Sequence, residues 1–598
     1  MKLNTVKMIR MAGVILFLLV TNLQPRAVLA GGYENFNVAI YARVYETQKM
    51  SDLNWMEKRI DYLQQHIKID KVYMETYRDM ILADKETIIK AKKLLEKKGI
   101  RVSGGITLVM HEANRFKTFC YSNGEHLEEV KKIVEYTAEL FDEVMLDDFF
   151  FTSCKCELCI KNKGDKSWTD FRLELLKDVS ENIILKTARE TNPDVKMIIK
   201  YPNWYEHYQY LGYNLEHEPE LFDMIYTGTE TRDPEYTHQH LQQYQSYSIM
   251  RYLENVSPGK NAGGWIDPYA RRCLDRYGEQ ISLTLFAKPK EVTLFCLQSL
   301  VEEMENNEGS AVYLSNVTPL AGYVLAKADN FIDKLGNPTG IPAYKPYHSS
   351  GEDFLHNYLG MLGIPVDITP DFPYKSNMIL LTESAKYDTD IVKKIKTQLT
   401  DGKNVVITSG LLGALQGKGI EDIAELRCTD KKALAHRFSN FRTVFESEKD
   451  ILIPQIIYPT NDCWELVTAY SEGNGYPLLL QAGYGNSIMY VLTIPDNFGD
   501  LYNLPESILT MIKNILMKDM YVSIESRSRI SLFVYDNNTF IVHSFLPHRE
   551  QVKVAIKEEE VKLRNLTINR ILEGVSHNGK TEFSITISPH SYQVFKVE

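Results

Sequence analysis

The stretch Phe141-Asp-Glu-Val-Met-Leu-Asp-Asp-Phe-Phe-Phe-Thr-Ser-Cys-Lys-Cys-Glu-Leu-Cys159 decides how the chain reads. Val144-Met-Leu146 is a short apolar strand, and it runs straight into two adjacent carboxylates, Asp147 and Asp148. A C-x-C-x-x-C cluster follows at Cys154, Cys156 and Cys159. Acids just past the carboxyl end of a buried strand are where a parallel α/β barrel gathers its chemistry. A tight thiol cluster just downstream suits a metal staple that holds the following loop.

Outward from this stretch, strand-like and helix-like segments alternate, which is the pattern of an α/β fold. Strands are predicted over 37–41, 71–75, 101–108, 144–146, 195–201, 222–230, 261–267 and 291–296. Amphipathic segments between them, such as 85–98, 125–141 and 167–190, read as helices. Eight strands within about 260 residues fit a (β/α)8 TIM barrel. No G-x-G-x-x-G follows the first strand, which counts against a dinucleotide-binding sheet.

Polar residues collect at the predicted carboxyl ends of these strands. Glu75, Asp147, Asp148, Asn203, Trp204, Tyr205, Glu230, Arg232, Trp265 and Asp267 are the candidate site. Each alone is more often a loop residue; their clustering at one end carries the functional reading.

A Pro- and Gly-rich run over 336–347 marks a boundary after the barrel, residues 31–335. Residues 336–519 read as a small flavodoxin- or glutamine-amidotransferase-like α/β domain, with strands at 378–381, 404–408, 476–480 and 487–492. From residue 520 to 598 short alternating strands separated by turn residues such as Asp536-Asn-Asn538 give a β-sandwich.

Residues 1–30 read as a removable export signal: Lys2, Lys7 and Arg10, an apolar run from Ala12 to Val20, then Val28-Leu-Ala30. The run is too short for a confident membrane span, and no Cys at the cleavage point suggests a lipid anchor. Export to the periplasm or outside the cell is the expectation. The formal charge of −11 becomes more negative once Lys2, Lys7, Arg10 and Arg26 are removed. That balance argues against nucleic acid and anionic membrane surfaces as partners. It is no obstacle to a glycan.

The chain has 8 cysteines. Cys154, Cys156 and Cys159 with Cys120 as a fourth ligand make a structural zinc site. Disulfides from the cluster to Cys120 or Cys273 are the alternative reading. No organic cofactor is expected.

The order barrel, small α/β domain, terminal β-domain resembles the family 42 β-galactosidases. That family carries a zinc site with one Cys before the fourth strand and a C-x-C-x-x-C after its acid/base, and Cys120, Cys154, Cys156 and Cys159 fall at those places. The resemblance implies glycosidic-bond hydrolysis, a carbohydrate substrate and a middle domain that supports oligomers, a dimer or trimer. Two departures stand out. The family has Asn-Glu where this chain has Asp147-Asp148, and a Glu nucleophile where it has Asp267. Hydrolysis by two carboxyls is then expected to use Asp148 as acid/base, with Glu230 as first and Asp267 as second choice of partner. Adjacent residues on a strand face opposite ways, so Asp147 and Asp148 are not expected to form the pair. Trp204, Tyr205 and Trp265 would stack on sugar. Substrate-assisted hydrolysis and a non-catalytic glycan-binding barrel are the alternatives.

Overall fold

A computed structural model describes residues 32–232, 241–269, 273–305 and 316–598. The expected export segment lies outside the described residues. Eight parallel strands form the barrel: β1 (Asn37–Ala42), β2 (Lys71–Arg78), β3 (Arg101–Ile106), β4 (Glu143–Leu146), β5 (Lys196–Tyr201), β6 (Met224–Gly228), β7 (Asn261–Ile266) and β8 (Glu291–Phe295). Each pairs with its neighbour in sequence order. β1 pairs with β8 through Asn37–Glu291 and with β2 through Ala39–Lys71, so the sheet is closed.

The interior is filled by alternate residues of these strands, among them Ala39, Tyr41, Tyr73, Met145, Ile198, Tyr226 and Trp265. Large rings need small neighbours in so narrow a space. Gly105 supplies one: a Cβ there would lie 2.5 Å from the Tyr41 hydroxyl. The intervening strand residues, such as Val38, Ile40, Val144, Met197 and Ile199, face out and join the helix-covered core.

The middle domain is a nine-stranded mixed sheet. β9 (Ile341–Tyr344), β10 (Val366–Thr369), β11 (Met378–Leu381) and β12 (Asn404–Thr408) run parallel. β13 (Arg427–Ser439), β14 (Val444–Ile457), β15 (Cys463–Ser471), β16 (Asn474–Tyr484) and β17 (Ser487–Leu492) complete the sheet. β13 and β14 form a long antiparallel ribbon at one edge.

The terminal domain packs a six-stranded sheet against a four-stranded one, and the two-residue strand Pro338–Thr339 from the linker joins the larger. Among its strands, β18 (Val522–Glu525), β19 (Ile530–Tyr535), β20 (Thr539–Ser544) and β21 (Glu550–Ile556) come first in the chain.

This last domain docks on the barrel through apolar rings and one buried charge cluster. Phe533 of β19 stacks on Tyr244 with centroids 5.3 Å apart and meets Tyr247 edge-on at 4.7 Å. Tyr247 belongs to helix α1 (Gln245–Val256). Glu279, on helix α2 (Leu274–Phe286), faces His543 of β20 at 3.6 Å and His590 at 2.9 Å. Burial pushes the Glu279 carboxyl up, but hydrogen bonds and charge from His543, His590 and Arg276 outweigh it and hold the group at about 2. Its hydrogen bond to Glu279 raises His590 in turn.

Truncating one side of such a cluster leaves the other buried and unpaired, so Glu279→Gln should cost about 3 kcal/mol. The signs differ for the two groups. The depressed carboxyl stabilises the fold above the ordinary Glu value and loses this as pH falls towards 2. The raised imidazole stabilises it below the ordinary His value and loses this as pH rises through its folded value. Thermal melts of Glu279→Gln and His590→Gln across pH check this: the His590→Gln penalty should shrink on the alkaline side.

Candidate functional site

The carboxyl ends of the barrel strands open into a cleft of about 850 Å³ lined by Asp147, Asp148, Lys200, Asn203, Trp204, Glu230, Arg232, Trp265 and Asp267. β4 ends at Leu146, and the chain turns over Asp148 and Phe149. The strict alternation of a strand therefore stops before the two acids. This corrects the expectation that they face opposite ways: both reach one ammonium. The Lys200 Nζ lies 2.5 Å from Asp148 Oδ2, 3.3 Å from Asp147 Oδ1 and 3.5 Å from Glu230 Oε1.

Each acid has a different environment. Asp147 also meets Arg78 Nη2 at 3.2 Å and the Thr107 hydroxyl at 3.1 Å, and it accepts the Asp148 N–H at 2.9 Å. Burial works against its charge, yet Lys200 and Arg78 hold it below the usual carboxylate range. Among the described residues, Asp148 has no such second cation in ion-pair contact. Burial, reinforced by the charges of Asp147 and Glu230, pushes it up to about 7 against the pull of Lys200. Burial also raises Glu230, with Asp267 adding to the effect and Lys200 opposing it. Glu230 Oε2 is buried and has no hydrogen-bond partner. Gly228 makes room for it at the end of β6, because a Cβ there would lie 2.7 Å from that oxygen.

The two distances from Nζ cap the separation of Asp148 Oδ2 and Glu230 Oε1 at about 6 Å, short of the ~6.5–9.5 Å between inverting glycosidase carboxyls. Asp267 is engaged elsewhere. It forms an ion pair with Arg232 and accepts the Tyr269 N–H at 3.0 Å. Arg232 and Asp267 both line the cleft, joined to one another.

Three expected substrate contacts are placed otherwise. Glu75 lies wholly beneath the cleft floor, bonded to Tyr41, the Val44 N–H, Arg78 and Thr107. It is three residues short of the end of β2 and faces the packed interior. Tyr205 is buried against the middle domain, where its hydroxyl accepts the Phe354 N–H at 2.8 Å. Trp265 is 2% exposed. One face of its ring is covered by Lys200 at 4.2 Å and Tyr41 packs at 4.7 Å, so it lines the cleft floor with little of its ring open to the cleft. Asn203 lines the cleft and donates its side-chain N–H to the Glu230 carbonyl.

The exposed aromatic wall comes from other residues. Phe116 stacks on Phe149 at 5.4 Å, and Phe151 meets Trp204 edge-on at 5.8 Å. All four line the cleft. Phe150, between them, is buried against Tyr121. Lys200 was the main residue missed. Its signal was present: it lies two positions after Ile198, and period-2 alternation sends both into the barrel.

Behind the aromatic wall, Cys120, Cys154, Cys156 and Cys159 place their sulfurs within 4.8 Å of one another. Cys120 Sγ is 3.6 Å from both Cys156 Sγ and Cys159 Sγ. That is far beyond a disulfide bond and close to the ~3.8 Å between thiolates on a tetrahedral ion with ~2.3 Å bonds. The Cys159 backbone N–H helps lower the Cys156 thiol to about 7. The donors fit a metal ion. All eight cysteines are free thiols, Cys273, Cys428 and Cys463 included.

Comparison with known proteins agrees with this architecture. Residues 26–318 match the family described as probable glycosyl hydrolase, catalytic domain, and residues 521–597 match probable glycosyl hydrolase, C-terminal domain. Residues 336–497 match the second domain of an uncharacterized protein, SSO3021. That protein, from Saccharolobus solfataricus, is 27% identical over 516 residues, which is 77% of this chain and 82% of its own. Among solved structures, the β-galactosidase from Bacillus circulans sp. alkalophilus aligns with a TM-score of 0.61 at 10% identity, covering 95% of this chain and 99% of that one. A GH42 β-galactosidase from G. stearothermophilus aligns at 0.62 and 12% identity, over 94% and 98%. At such identities the likeness to solved structures is one of fold. Residues 26–318 are a glycosyl hydrolase catalytic domain by this match, and the chain has the fold of the family 42 β-galactosidases.

Proposed function

We propose that the chain is an exported, retaining glycosidase in which Asp148 and Glu230 are the two reacting carboxyls. The observation that carries this is their convergence on one ammonium at the floor of an aromatic-walled cleft. Asp148, pushed up to about 7, carries a proton in a large share of molecules at neutral pH and gives it to the glycosidic oxygen as that bond breaks. Glu230 attacks the anomeric carbon and forms a glycosyl ester. Asp148, now ionised, takes a proton from water, whose oxygen displaces Glu230. Phe116, Phe149, Phe151 and Trp204 present flat faces for the C–H side of sugar rings. Because the solved neighbours are β-galactosidases, β-galactosides head the panel of substrates to test.

The four thiolates are proposed to hold a structural zinc ion. Closed four-sulfur sites leave no open position for water, so the ion would fasten the loop that carries Phe149 and Phe151. The middle domain is proposed to support oligomers.

On a panel of 4-nitrophenyl glycosides and natural oligosaccharides, Asp148→Ala should lower kcat on natural substrates by about 10²–10⁴-fold. The loss should be smaller on aryl glycosides, whose leaving groups need less protonation. Glu230→Gln should be inactive on both. Activity should fall as pH rises above about 7, because Asp148 then gives up the proton it must deliver. Full activity of either variant on natural substrates would contradict the assignment.

Elemental analysis of the purified chain should find one zinc per molecule. Cys156→Ser should lose the metal and lower the melting temperature, whereas Cys428→Ser should do neither.

A further inference from the structure

An ammonium in the middle of a barrel is costly to bury unless it is paired. Lys200 is 2% exposed, and its neighbours account for its presence only in part. On one side lies the Trp265 ring from β7, at 4.2 Å. On the others lie Asp147 and Asp148 from the end of β4 and Glu230 from beyond β6. Among the described residues, the other charges nearby have closer partners, although the Arg232 charge also reaches Glu230. Arg78 of β2 is shared among Glu75, Glu112 and Asp147, and Arg232 is joined to Asp267. Asp147 draws on Arg78, the Thr107 hydroxyl and the Asp148 N–H as well as on Lys200. Asp148 and Glu230 are left, and Lys200 is the one cation in ion-pair contact with them among the described residues. One positive charge matches one ionised carboxyl, not two.

We infer that Lys200 is a positioning residue that holds the Asp148–Glu230 pair at a single proton and follows the negative charge from one carboxyl to the other during catalysis. The inference rests on the two-carboxyl reading above. Before reaction Glu230 is ionised, Asp148 is protonated and Nζ compensates Glu230 from 3.5 Å. In the first step the Asp148 proton goes to the leaving oxygen, and a Glu230 oxygen bonds to the anomeric carbon. The ester is neutral, and the negative charge now sits on Asp148, the closer of the two carboxyls to Nζ in the free protein. Water then gives a proton to Asp148, its oxygen bonds to the anomeric carbon as the ester bond to Glu230 breaks, and the charge returns to Glu230. The three groups keep a constant net charge throughout, so no uncompensated charge appears where the dielectric is low.

The test uses the full-length protein with Lys200→Met and Lys200→Arg, and with Asp148→Asn and Glu230→Gln as references. Infrared difference spectra against the two references isolate the carboxyl that is neutral at pH 7 in the wild type, with no substrate needed. Its proton should be lost about one pH unit or more higher in Lys200→Met, since removing a cation raises nearby carboxyl values. It should titrate as in wild type in Lys200→Arg. On the best 4-nitrophenyl glycoside of the panel, Lys200→Met should lose about 100-fold or more in kcat with KM little changed, and its pH profile should move upward with the infrared titration. An unshifted titration, or a rise in KM alone, would overturn the inference. If Lys200→Met does not fold, the neutral band must still vanish in both references; a band surviving in either one overturns it. Full hydrolytic activity in Asp148→Asn and Glu230→Gln would instead remove the two-carboxyl reading itself.

Discussion

The buried Lys200 ammonium ties the ends of three barrel strands into one charged unit. It meets Asp147 and Asp148 beyond β4 and Glu230 beyond β6, and rests on Trp265 of β7. Around it, Arg78 is shared by Glu75, Glu112 and Asp147, and Arg232 pairs with Asp267. Taken singly, each of these groups would be expensive out of water. Their arrangement is possible because the closed barrel brings eight strand ends to one mouth, so residues 75 to 267 in sequence share a few ångströms of space. The same pairing that makes the floor stable leaves Asp148 and Glu230 under-compensated, and this is where chemistry can occur.

The cysteine cluster serves that floor indirectly. The loop after β4 carries both Asp148 and the rings of Phe149 and Phe151. A loop that long needs fastening if its side chains are to hold position. A metal ion held by Cys154, Cys156, Cys159 and Cys120 would fasten one end of it to the segment before the helix Gly124–Leu140. Stability, wall geometry and acid placement therefore depend on one short segment, the segment whose sequence first marked the site.

Much of this was legible in the sequence because parallel strands buried on both faces are runs of apolar residues, and runs survive without context. The eight barrel strands and Met378–Leu381, Asn404–Thr408 and Ser487–Leu492 of the middle sheet fall where those runs lie. β13 and β14 were not read as strands. They form an edge ribbon whose residues are largely exposed, with Lys431, Lys432, Arg437 and Glu446 where a core strand would be apolar. At the site, Asp148, Glu230, Asn203 and Trp204 were found by their place at strand ends. Glu75, Tyr205 and Trp265 occupy the same kind of place, and only packing shows that they face the interior or the next domain. Lys200 was passed over because it sits inside an apolar run, where a lone charge looks like noise until its partners are known.

The account stands on Glu230 as the carboxyl that bonds to sugar. Labelling with a 2-deoxy-2-fluoro glycoside that bears a good leaving group, followed by peptide mass mapping, tests this most directly. The account predicts one sugar per chain, attached to Glu230 and released slowly by water. A label on Asp148 or Asp267, or a product of inverted configuration, would contradict it.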